Sequence, residues 1–240
     1  MPANLRAMRA SPALIRTMAV VLLAGTALLG AGAVLHPMLP SDPEAQLGVM
    51  AATPYWRAIH IIMIVGSGLI VGGLWVRLYI DRSRLLVVLT AALAIIAVGL
   101  AFNAANIEFM AHGGTAAAAR FAAGDISVVS DFASRHTKAL ADARIGNLLV
   151  VLGCIPLGWV EWRDPDRPVW IAVLPWLACA GGIAGVILFD AGSRGALAAV
   201  ALMSIWAAAT SVRVLASPAA RFDQKVETSS AATSSARMVS

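Results

Sequence analysis

Six apolar runs, each close to the length that crosses a bilayer, limit this chain more than any other feature. A helix spans a hydrocarbon core about 30 Å thick with about 20 mainly apolar residues. The runs cover approximately residues 17–35, 56–80, 85–110, 145–162, 168–189 and 195–215. Lipid offers the backbone no hydrogen-bond partners, so each run satisfies its own groups by becoming a helix. Ala, Leu, Val and Gly dominate, and no run alternates as a barrel strand would. Apolar residues make up 60% of the 240 and charged ones only 13%, against about 25% charged in soluble domains. That balance excludes an ordinary soluble enzyme and a disordered chain. A pI near 10.0 suggests nucleic acid, but the 18 Lys and Arg residues stand between apolar runs and form no patch. No nucleic-acid partner is expected.

The expected fold is all-α: a polytopic membrane protein built as a six-transmembrane-helix bundle. Residues 1–216 form one domain. The tail, 217–240, is rich in Ser, Ala and Thr and reads as a disordered cytoplasmic end. Twelve of the 18 basic residues fall on one side if the N-terminus is cytoplasmic, among them Arg6, Arg9, Arg16, Arg77, Arg82, Arg84, Arg163, Arg167 and Arg213. The positive-inside rule then places both termini in the cytoplasm and the chain in the cell's inner membrane. Trp75, Tyr79, Trp159, Trp162 and Trp170 mark the inner interface, and Tyr55 and Trp56 the outer one. Ala31-Gly32-Ala33 resembles a signal-peptidase site, but an apolar core of about 19 residues exceeds the 7–15 of a signal peptide. The first span is read as retained.

Two outer loops have patterns of their own. Ser41-Asp42-Pro43-Glu44 is a helix start, with a polar cap before Pro at the first helical position. It predicts a short helix to about Ala52. In the loop between spans three and four, Gly113-Gly114 is read as ending span three and Gly124-Asp125 as a turn. Beyond it Ile126, Val129, Phe132, His136 and Leu140 recur at helical spacing, which predicts an amphipathic outer-surface helix on the membrane or over the mouth of the bundle.

All four histidines fall on the outer side under this topology: His36, His60, His112 and His136. Met38, Met50, Met63 and Met110 lie in the same half. Neutral imidazole ligates haem iron, copper or zinc, and His with Met suits haem or copper. The cofactors that fit are therefore haem b or copper. For haem, His60 is the ligand, His36 or His112 the opposing one, and Arg57 the propionate contact. Gly66, Gly68, Gly72 and Gly73 below His60 would leave room for the macrocycle. For a metal ion the set is His60, His112 and Glu108, the last two four apart on one helix face. The same glycines also read as helix packing, with small-xxx-small pairs at Gly68 and Gly72 and at Gly181 and Gly185. Asn103 and Asn106 share a face of span three and either line a solute cavity or link helices by hydrogen bond. Cys154 and Cys179 are read as inert buried thiols.

The run Trp56-Arg57-Ala58-Ile59-His60 with Gly72-Gly73-Leu74-Trp75 resembles the histidine helix of copper-resistance-D-type and related haem-handling membrane proteins, which place His early in a span and Gly-Gly later. The likeness covers one helix of six and carries over no activity. Three functions remain open. The favoured reading is an accessory or assembly subunit without chemistry of its own, with other membrane subunits or a second copy as partners. The alternatives are an outer-face haem- or copper-binding protein and a small solute transporter, the last weakened because the sequence places no charged residues deep in the spans.

Overall fold

The computed structural model describes residues 11–80, 85–188 and 195–217, with side chains described except at 185–188 and 195–198. Expectations for Arg6, Arg9, the turn at 81–84, Gly185 as a packing residue and the tail 218–240 lie outside what is described. Among the described residues all regular structure is helical. The helices are α1 (Pro12–Leu35), α2 (Pro43–Ala52), α3 (Trp56–Leu74), α4 (Val76–Ile80), α5 (Leu86–Phe109), α6 (Thr115–Ala122), α7 (Val128–Arg163), α8 (Val169–Leu188) and α9 (Gly195–Ala216). Five segments are long and apolar enough to cross a membrane: Pro12–Leu35, Trp56–Ile80, Leu86–Ala122, Val128–Arg163 and Ala199–Ala216. Val169–Ala184 is a shorter apolar helix. Helices α1, α3, α5, α7, α8 and α9 pack in chain order, and α9 returns to α1, so the bundle is a closed ring.

The seam between α1 and α3 is built on missing side chains. A Cβ on Gly25 would lie 2.7 Å from the Ile70 backbone nitrogen, and one on Gly66 would lie 2.7 Å from that of Leu29. A Cβ on Gly73 would meet Leu22 Cα at 2.6 Å. The two backbones therefore touch, as small-residue packing allows when lipid supplies no hydrophobic drive between helices. The glycines that do this are Gly66 and Gly73. Gly68 and Gly72 have nothing within 4 Å, so within this chain the small-xxx-small pair makes no helix contact: seven residues, not four, separate the contacts in this antiparallel pair. A similar approach joins α5 to α7, where Cβ atoms on Gly99 and Gly146 would each lie 2.6 Å from the other residue's carbonyl oxygen.

Span three does not stop at its glycine pair. Met110–Gly114 forms a π-helical turn and the helix runs on through α6 to Ala122. Gly113 is covered by the Phe109 ring, 2.8 Å from where a Cβ would stand, so this glycine serves packing and not termination. The reversal comes at Gly124, whose φ of +91° only glycine adopts without strain. Asp125 then accepts hydrogen bonds from Ser127 and Arg120, which hold its carboxyl below the usual pKa range. The amphipathic stretch that follows is the first part of α7, continuous with span four, and not a separate surface helix.

Segments of 37 and 36 residues measure about 55 Å at 1.5 Å per residue, well beyond a hydrocarbon core of about 30 Å. Their joined ends overshoot the bundle and carry a second apolar cluster, with Leu47, Met50, Trp56, Met110, Val128 and Phe132 buried together. Helix α2 packs into it. It starts at Pro43, as the cap pattern predicts, with Asp42 Oδ2 accepting from the Ala45 N–H at 2.8 Å.

Gly66→Val and Gly73→Val are expected to destabilise the fold by about 1–3 kcal/mol or more, because backbone cannot yield to the added carbons. Gly68→Ala and Gly72→Ala leave stability unchanged or slightly raised. Thermal unfolding in mild detergent, followed by tryptophan fluorescence, separates the two pairs.

Candidate functional site

The α1–α3 seam ends in an aromatic cluster. His36 caps the C-terminus of α1, and Trp56 and His60 lie on the first turns of α3. The His36 and His60 ring centres are 5.0 Å apart, edge to face; Trp56 lies 4.9 Å from His36 and 4.4 Å from His60. His60 and Trp56 are only 3% and 2% exposed. Trp56 was expected at the outer interface, but it is buried at the centre of this group. Its indole N–H donates to the Met110 carbonyl at 3.0 Å, on the π-helical turn.

Each histidine is held by a backbone carbonyl. His60 Nδ1 lies 2.8 Å from the Trp56 carbonyl oxygen, and His36 Nδ1 lies 2.8 Å from that of Pro37. A carbonyl only accepts, so in the neutral ring Nδ1 carries the proton and Nε2 keeps its lone pair. Burial holds His36 below the usual imidazole pKa, with the Pro37 hydrogen bond acting the other way. This orientation by a carbonyl is the outer-shell arrangement that metal-ligating histidines use.

The pair suits an ion better than a macrocycle. A metal about 2.0–2.1 Å from a ring nitrogen stands a little over 3 Å from the ring centre. Rings on opposite faces of a haem would then have centres about 6 Å apart, more than the 5.0 Å found here. Of the four glycines read as leaving room for a macrocycle, Gly66 and Gly73 are filled by the α1 backbone while Gly68 and Gly72 stand open, and Arg57 is exposed while His60 is buried. Haem therefore does not fit between His36 and His60. A separation of 5.0 Å at an interplanar angle of 70° is an ordinary edge-to-face ring contact, and in ring-centre distance it also matches two imidazoles on one near-tetrahedral ion.

The remaining sequence candidates are placed elsewhere. His112 and Glu108, both exposed, face each other along one helix with Nδ1 and Oε1 3.4 Å apart. The ring neighbours of His60 are His36 and Trp56, and among the described residues no three His, Cys, Asp or Glu group to hold a metal. His136 stacks on Phe132 and Phe109. Asn103 Nδ2 donates to Asn147 Oδ1 at 3.1 Å, tying α5 to α7, and Asn106 Oδ1 is buried. Cys154 and Cys179 are free and buried. A cleft lined by Leu29, Ile70, Leu100, Val150, Ser204 and Trp206 is almost wholly apolar and offers little to orient a polar solute.

A second cluster went unseen in the sequence. Where α4 meets the C-terminus of α7, Arg77 Nε lies 2.5 Å from Glu161 Oε1, and its Nη2 lies 3.0 Å from Asp164 Oδ2. Arg167 Nε lies 2.6 Å from Glu161 Oε2, an ion pair not aligned as a hydrogen bond. These four side chains are at most 4% exposed. Two cations and two anions balance, which is what burial of charge requires. Burial draws Arg167 down to about 10, with Glu161 opposing, so it remains cationic at neutral pH. The group joins α4, α7 and the loop to α8, and its carboxylates are each neutralised by a guanidinium.

Comparison of the chain with known protein families, with functionally characterised proteins and with solved structures finds no match.

Removing one member of the charged group strands its partner. Arg77→Met and Glu161→Leu are each expected to cost about 3–5 kcal/mol, whereas replacing all four with apolar side chains of similar volume costs less. Unfolding midpoints of the single and quadruple variants in one detergent check the order.

Proposed function

We propose that this chain is a six-span protein of the inner membrane, both termini cytoplasmic, that binds a metal cation at its outer face through His36 and His60. Its apolar helices suggest an integral membrane protein; the positive-inside count supports the orientation, and the ring of six packed helices supports the span number. One observation carries the binding site. Two imidazoles 24 residues apart in sequence meet with centres 5.0 Å apart, each with Nδ1 engaged by a carbonyl, so that the neutral ring keeps its lone pair on Nε2.

A structural role for such a pair is simple packing, and the two roles differ in a measurable way. A ligand pair loses its cation when either nitrogen goes; a packing pair has none to lose. Purified protein titrated with copper and zinc, with bound metal counted by elemental analysis, is expected to hold about one ion per chain. His36→Gln and His60→Gln each lower the affinity by about tenfold or more. Protein that stays metal-free at wild-type stability would instead return the chain to the accessory-subunit reading.

A further inference from the structure

Two imidazoles alone do not complete a site for a divalent cation. Zinc takes four ligands, or three and a water, from Cys, His, Asp and Glu. Among the described residues no such third side chain joins the pair. The α1–α3 seam supplies another kind of donor. Its close approaches pair Leu22 with Gly73, Ile70 with Gly25 and Leu29 with Gly66 in a regular antiparallel register. The next rung pairs Gly32 with Met63, and the one after it is His36 with His60. Met63 Sδ lies 3.3 Å from where a Cβ on Gly32 would stand. A thioether therefore occupies the rung directly beneath the imidazoles, about one helical turn away, in space that only a glycine leaves open.

Resting on the His36–His60 reading, we propose that Met63 is the third donor and that the ion is soft and monovalent: copper(I). Thioether sulfur selects copper(I) over zinc, and imidazole accepts either. Met63 has three rotatable bonds, and a helical side chain leans toward the N-terminus of its helix, which is the His60 end of α3. Trp56 covers both rings and excludes solvent from that side. Two nitrogens and one sulfur, with no carboxylate among them, give a neutral donor set that leaves a monovalent charge least penalised in an apolar seam.

Silver(I), a redox-inert copper(I) analogue, and zinc(II) are the probes, measured by equilibrium dialysis on full-length wild type, Met63→Leu, Met63→His and His60→Gln. Met63→Leu conserves volume and folds. Loss of an outer-shell partner already costs about 10–100-fold, so Met63→Leu is expected to weaken silver(I) binding by about tenfold or more and leave zinc(II) unchanged. Met63→His shifts preference toward zinc(II). If Met63→Leu binds silver(I) like wild type while His60→Gln does not, Met63 is not a ligand and the histidine reading survives. If wild type binds neither ion, the histidine reading fails and takes this inference with it.

Discussion

The contact between the α1 and α3 backbones governs the rest of the structure. Three glycines, Gly25, Gly66 and Gly73, remove every side chain that would hold the helices apart at those levels. Dispersion and close packing then do what the hydrophobic effect cannot do between helices in lipid. Register follows from the same contacts, because each glycine accepts one particular backbone segment opposite it. The register sets His36 over His60 and Met63 over Gly32, so the candidate site follows from packing several turns away.

Both ends of the bundle solve the same problem of buried polarity in different ways. At one end neutral groups pair with backbone: Trp56 donates to Met110, and the histidines to Trp56 and Pro37. Each imidazole then has one satisfied nitrogen and one lone pair to spare. At the other end Arg77, Glu161, Asp164 and Arg167 cancel one another. A balanced group like this fixes helix ends and resists removal of any single member. The first arrangement leaves donors available, and the second consumes them, which is why chemistry is assigned to the histidines.

Much of the helical architecture was legible in the sequence, because apolar run length is a direct consequence of bilayer thickness. The α2 start was equally legible, since Asp42 and Pro43 act through local backbone geometry. What the sequence hid depends on facing surfaces. Gly113-Gly114 looks like a helix end, but only the Phe109 ring folded onto Gly113 shows that it is a packing site. Trp56 looks like an interface anchor until Met110 supplies its acceptor. The charged cluster did leave a trace: Glu161 stands between Val160 and Trp162 at the end of an apolar run, where an acidic side chain needs a cation. Arg77 and Arg167, taken one at a time, read only as orientation signals. His36 and His60 share a level by topology, but their contact required the α1–α3 register, and periodicity within one helix does not carry that information.

The central claim is that the seam presents two imidazoles to one ion. X-ray absorption at the copper edge of the copper(I)-loaded protein reads the ligands directly. The account predicts two imidazole nitrogens and one thioether sulfur bound to copper, with the multiple-scattering signature of both rings. A spectrum showing one imidazole or none would contradict it.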